Sequence, residues 1–183
     1  YEKNCEPYKR IMTSYKEKLN QIKAFIFDVD GVLTNGDILL IGGEVIRTLN
    51  SRDGYAIQYA AKMDYPIFII TGGNSLEIKT RLLGLGATEV HLAAFNKLNV
   101  FNSILEKYKL KADEILYMGD DIPDYEVLKT VGVSTCPQDA APEIKAICDY
   151  QSPYNGGQRC VRDVIEQTLR VQGKWFSDKA FEW

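Results

Sequence analysis

Residues 23–34 read KAFIFDVDGVLT, and the reading of this stretch decides the fold. Its first half is a short apolar run of β-formers with no polar alternation, which predicts a strand buried on both faces over 23–29. Its second half, Asp28-Val29-Asp30-Gly31, ends the strand in two carboxyls and a glycine, the chemistry of a turn.

Working outward, apolar spacing at Tyr8, Ile11, Met12, Tyr15, Leu19 and Ile22 predicts a helix within 1–22, after Pro7. Two short apolar runs, 38–41 and 45–49, flank Gly42-Gly43 and predict a β-hairpin. The chain then alternates. Helices are predicted over 53–63, 75–83, 98–108, 125–130, 140–147 and 160–171, and strands over 66–70, 89–92, 114–118 and 132–135. Such alternation implies an α/β fold, a doubly wound and mostly parallel Rossmann-like sheet with helices on both faces. The chain of 183 residues suits a single domain. The tail, 172–183, carries Trp175, Phe176, Phe181 and Trp183, and an end with four aromatics is expected to pack on something, a neighbouring subunit being one candidate.

Composition narrows the class. Hydrophobic residues are 45% and charged residues 26%, ordinary for a globular protein. A net charge of −3 supplies no strongly basic face, so neither nucleic acid nor an anionic membrane is expected as the main partner. There is no apolar run of about 18 residues to cross a bilayer, and the first twenty residues lack the apolar core of a signal peptide. Cys5, Cys136, Cys148 and Cys160 form no Cys-x-x-Cys pair and His91 is the only histidine, which argues against zinc and for thiols in a reducing cytoplasm.

Ligands in open α/β sheets bind at the carboxyl ends of the strands. There the sequence places Asp28 and Asp30, then Thr71-Gly72-Gly73, then Gly119-Asp120-Asp121-Ile122-Pro123-Asp124, with Lys97 at the start of a helix between the last two. Alone, each has an ordinary reading: a turn, a strand end, a helix cap, a solvated lysine. Together they gather carboxylates on one rim, which repel unless a cation lies among them, and oxygen ligands select a hard ion such as Mg²⁺. A hydroxyl and an ammonium beside the ion suit a transferring phosphoryl group. One carboxylate can act as nucleophile to form an aspartyl phosphate, and another two residues on can protonate the leaving oxygen and then activate water.

These residues resemble the four motifs of the haloacid dehalogenase superfamily of phosphotransferases, over about 23–133. The resemblance implies Asp28 as nucleophile and Asp30 as acid/base, Thr71 and Lys97 as the phosphate-binding pair, and Asp120 completing a Mg²⁺ site with Asp28 and the backbone carbonyl of Asp30. Asp121 and Asp124 become supporting groups of the acidic motif. The 28–34 motif, the hairpin, the run Asn50-Ser51-Arg52-Asp53-Gly54, and Gly156-Gly157 followed by Arg162 are similar to the octulosonate 8-phosphate phosphatases of that superfamily. These make an eight-carbon acid sugar for lipopolysaccharide and work as cytoplasmic homotetramers without a cap domain. The spacings from Asp30 to Thr71 and from Thr71 to Lys97 leave no room for a cap, so the hairpin, 36–50, and a neighbour's aromatic tail are the candidates for covering the site.

The same resemblance implies substrate contacts at Asp30, Asn50, Ser51, Arg52, Asp53, Gly54, Gln58, Gly73, Arg81 and Lys97. Two readings stand for several. Asp53 either meets substrate or caps the following helix, Arg81 either meets substrate or lies on a solvated helix face, and Arg162 either reaches a neighbour or ends a salt bridge. Two positions depart from the pattern: Gly73 replaces a customary arginine and Arg159 a customary glycine. Either Arg159 restores the missing charge or the sugar differs, a nonulosonate 9-phosphate being the nearest rival. Two other classes compete: a non-catalytic tetramer-forming relative, disfavoured because both Asp28 and Asp30 are present, and a receiver-type signalling domain, disfavoured because its paired acids precede the phospho-acceptor strand.

Overall fold

The computed structural model describes residues 14–182. Six strands form one sheet in which every pairing is parallel. They are β1 (Ala24–Phe27), β4 (Ile67–Ile70), β5 (Glu89–His91), β6 (Ile115–Met118), β7 (Val133–Cys136) and β8 (Tyr150–Gln151), in the order β5-β4-β1-β6-β7-β8. The chain builds one way from β1 through β4 to β5, then returns to its other side for β6, β7 and β8. β1 is thus the switch point, where a crevice opens at the carboxyl ends of the strands.

β1, β4, β6 and β7 are buried at every residue; the first three accordingly run apolar without alternation, while β7 buries the polar Ser134 and Thr135. Successive side chains still go to opposite faces. Phe25, Phe27, Ile67 and Ile69 pack with α2 (Ser51–Lys62), α3 (Leu76–Gly84) and α7 (Cys160–Val171). Ile26, Phe68, Ile70 and Tyr117 pack on the other face with α4 (Lys97–Tyr108), α5 (Tyr125–Leu128) and α6 (Pro142–Lys145). The expected doubly wound α/β architecture is therefore present. The three long helices nearest the crevice start on polar caps: Asn50 accepts from the backbone N–H of Arg52, Ser75 from that of Ile78, and Asn96 from that of Asn99.

The hairpin forms as β2 (Leu39–Ile41) and β3 (Glu44–Ile46), antiparallel, with Leu40 opposite Val45. It stands apart from the main sheet with every strand residue exposed. No cap interrupts the core: the hairpin and α2 lie between Asp30 and Thr71, and α3 and β5 between Thr71 and Lys97.

Several elements differ from those expected. α6 is one turn, not 140–147, and β8 was not foreseen, since two residues at a sheet edge carry no pattern. The predicted first helix is described only from residue 14, as α1 (Tyr15–Lys18) and a 3₁₀ turn, Leu19–Gln21; its earlier residues lie outside those described. The tail packs, as expected of its aromatics, and part of it packs on its own chain. Trp175 meets Tyr59 of α2 edge-on at 5.1 Å, and the Tyr55 and Tyr59 hydroxyls donate to the carbonyls of Ala180 and Lys174. Phe176 and Phe181 pack on each other and stay exposed, and Trp183 lies outside the described residues.

Candidate active site

The registers of the sheet bring the motif residues together. Phe27 lies beside Ile69 and Met118 in neighbouring strands, so Asp28, Thr71 and the Gly119-Asp120 turn leave the sheet side by side. The loop after Asp28 folds back at once: the N–H groups of Val32, Leu33 and Thr34 all point at the carbonyl of Val29. Gly31 has φ +83°, and a Cβ there would lie 2.0 Å from a carboxylate oxygen of Asp120, so the loop passes directly over that side chain and only glycine fits. Gly156 supports the loop from behind, where a Cβ would strike the Gly31 carbonyl at 1.9 Å.

Asp28, Asp30, Thr71, Gly73, Lys97, Asp120, Asp121 and Asp124 all line one cleft of about 440 Å³. At its floor the Lys97 ammonium lies 2.8 Å from Asp28 Oδ2 and donates to Asp124 Oδ1 at 2.7 Å. Asp28 Oδ1 accepts from the N–H of Val29 at 2.6 Å. Asp124 is fully buried, and its oxygens also accept from the Tyr117 hydroxyl and the Asp120 N–H. Thr71 is buried, and its hydroxyl accepts from the N–H of Gly73. Asp121 is exposed and caps the short turn Ile122–Asp124.

The electrostatics call for a cation. One ammonium faces three carboxylates, and oxygens of Asp28, Asp120 and Asp124 all lie within 4.8 Å of one another. Burial, then the Asp124 charge, pushes Asp28 up to about 7 against the pull of Lys97. Burial and the charges of Asp28 and Asp124 push Asp120 up to about 8. Burial draws the Lys97 pKa down, but Asp28 and Asp124 reverse this and leave it raised. A divalent ion between Asp28 and Asp120 would restore both to the ionised form. An all-oxygen donor set fits Mg²⁺. Asp124, with its oxygens already engaged, serves to hold Lys97 and Asp120 in place.

The other anticipated contacts scatter. Asn50, Ser51 and Arg81 line a separate crevice of about 90 Å³ beside Leu49. Arg52 lines a groove with Arg162 and Trp175. Gln58 is partly buried on α2 with its side-chain oxygen lacking a hydrogen-bond partner among the described residues. Gly54 is buried against Leu85. Asp53 matches neither of its readings. It is 1% exposed and accepts from the backbone N–H groups of Arg159 and Arg162 at 3.1 and 2.7 Å, capping α7 rather than its own helix. The Arg162 side chain pairs with Glu166 one turn on and stacks near Trp175. Arg159 lies over the Tyr154 ring, outside the cleft, so it does not refill the place of Gly73.

Two neighbours of the site were not anticipated. Tyr117 sat within a strand that read as plain core, and Arg47, at the base of the hairpin, grips Asp30 with two bonds, Nε to Oδ1 at 2.5 Å and Nη2 to Oδ2 at 3.1 Å. A basic residue closing an otherwise apolar hairpin strand was the one available signal for Arg47.

Comparison with known proteins agrees with this geometry. The sequence profile of the haloacid dehalogenase-like hydrolases matches residues 83–165. A 3-deoxy-D-manno-octulosonate 8-phosphate phosphatase of Escherichia coli is 36% identical over 91% of this chain and 89% of its own. The crystal structure of such a phosphatase from Yersinia pestis superposes with a TM-score of 0.86 at 31% identity, covering 88% of each chain. One from Moraxella catarrhalis, in complex with magnesium ion, phosphate ion and KDO, superposes with a TM-score of 0.86 at 27% identity, covering 90% of this chain and 95% of that one.

Proposed function

The chain belongs to the haloacid dehalogenase-like hydrolases, in the family of the 3-deoxy-D-manno-octulosonate 8-phosphate phosphatases, and we propose that it hydrolyses that acid-sugar phosphate to the free sugar and phosphate in lipopolysaccharide precursor synthesis. The observation that carries the reading is the grouping of Asp28 and Asp30 on one tight loop with Thr71, Lys97 and Asp120 in a single cleft. Asp28 attacks phosphorus, and the ester bond to the sugar oxygen breaks. Asp30 gives that oxygen a proton. Asp30 then takes a proton from water as the water attacks the aspartyl phosphate, freeing phosphate and Asp28. Lys97 and the Thr71 hydroxyl bind the phosphoryl oxygens. Asp28, Asp120 and the backbone carbonyl of Asp30 would hold Mg²⁺, which would supply charge neutralisation to the phosphoryl group.

The whole chain acts as one hydrolase domain, with 36–50 as a flap. It assembles as a homotetramer, and the support for assembly is the hairpin: Ile38, Leu39, Leu40, Ile41, Val45 and Ile46 are between 40% and 72% exposed, a patch that a lone chain would leave in water. Cytoplasmic placement is supported by free thiols at Cys136, Cys148 and Cys160. Among the described residues no helix is long and apolar enough to cross a membrane.

The test is steady-state phosphate release with Mg²⁺ from octulosonate 8-phosphate, nonulosonate 9-phosphate and simple hexose phosphates. A clear kcat/KM preference for the octulosonate supports the reading. Preference for the nonulosonate keeps the chemistry and moves the substrate, and no release from any points to a non-catalytic relative.

A further inference from the structure

A carboxyl that passes a proton to a departing oxygen has to be aimed, and the carboxyl of Asp30 is held by an arginine. Arg47 does not line the reaction cleft. It reaches Asp30 from behind, in a crevice formed with Val29, Thr71, Gly73, Ile78 and Leu92. Its side chain is 11% exposed, and its planar fork takes both Asp30 oxygens, at 2.5 and 3.1 Å. Residue 73 borders the pair: a Cβ there would make ordinary contacts, 3.4 Å from Asp30 Oδ2 and 3.7 Å from Arg47 Nη2, so a long side chain at this position would compete with the fork for the crevice. Arg47 immediately follows β3, so the grip also pins the base of the hairpin to the site.

We propose that Arg47 is a positioning residue for Asp30, held in the crevice beside Gly73, and that the pair clasps the hairpin flap to the acid/base carboxyl. The proposal rests on the phosphatase reading given above.

The test exploits leaving-group chemistry. A sugar alkoxide needs its proton from Asp30, whereas p-nitrophenolate leaves with little help, and kcat/KM reports only steps through that departure. With Arg47→Ala, kcat/KM on octulosonate 8-phosphate should fall about 100-fold, the scale of a misplaced catalytic group, and the fall on p-nitrophenyl phosphate should be at least tenfold smaller. Arg47→Lys, which keeps the charge but not the fork, should recover only part of the loss. Gly73→Arg, which fills the crevice in an otherwise intact chain, should show the same leaving-group dependence. Equal losses on both substrates, or no loss on the sugar phosphate, would overturn the role of Arg47. A wild-type protein that releases phosphate from neither substrate would overturn the phosphatase reading itself, and the proposal with it.

Discussion

The ammonium of Lys97 lies 2.8 Å from a carboxylate oxygen of Asp28, and both side chains are less than a tenth exposed. Lys97 begins α4 and Asp28 follows β1, so the pair joins two elements and fixes the Asp28 carboxyl where the sheet opens. Charges buried this deeply depend on each other. Lys97→Met should lower phosphate release at least about 100-fold and destabilise the fold by about 3 kcal/mol, read by urea unfolding. A stable, active variant would contradict the pairing.

The raised pKa values of Asp28 and Asp120, about 7 and 8, set the pH dependence of metal binding. Mg²⁺ needs both carboxyls ionised, so its binding releases protons and weakens as pH falls through this window. Titration calorimetry should give an apparent Kd at pH 6 at least about tenfold weaker than at pH 8, with proton release that follows the buffer's ionisation heat. A Kd independent of pH would show that these carboxyls do not hold the ion. Chelation should abolish turnover and Mg²⁺ should restore it.

Asp53 carries a stability prediction. Burial raises its pKa from 3.8 to about 6, against the opposing hydrogen bonds from the backbone of Arg162 and Arg159. A carboxyl raised in the folded state lends stability that is complete below its unfolded pKa and lost as pH rises through the folded one. Asp53→Ala leaves two N–H groups of α7 unpaired and should cost about 2 kcal/mol at pH 7. By the sign above, the cost should grow as the pH is lowered toward 4. Denaturant unfolding at pH 7 and pH 5 measures both, and a cost that shrinks on acidification would contradict the assignment.

The hairpin tests assembly. Leu40 and Val45 face each other across β2 and β3, 72% and 50% exposed. Replacing both with glutamate should leave the core intact, and the proposed assembly should then sediment as smaller species than the wild type. A wild-type chain that sediments as a monomer would contradict the proposed assembly.

The grouping of the motif residues in one cleft was legible in the sequence because each stands just after a strand or at a helix start, and parallel strands put all such points on one rim. Asp28, Thr71 and Asp120 needed only local pattern and that rule. The roles of Asp53 and Arg47 were not legible. The partners of Asp53 lie 106 and 109 residues away at the start of α7, and Arg47 meets Asp30 only because the hairpin folds back across 17 residues. Tyr117 was hidden for a different reason: the strand residue carries its hydroxyl out of an apolar run to Asp124 at the sheet's rim. Asn50 through Gly54, read as one substrate-contacting run, divides in the structure among a helix cap, a surface groove and the core, because helical geometry turns successive residues about 100° apart.

The proposed covalent role of Asp28 is tested most directly by acid quenching during turnover with Mg²⁺. The Asp30→Asn variant, given p-nitrophenyl phosphate because that leaving group departs with little help from an acid, should yield a phosphoryl group on the peptide containing Asp28, and Asp28→Asn should yield none and release no phosphate. Phosphate release by Asp28→Asn at the wild-type rate would contradict the covalent mechanism.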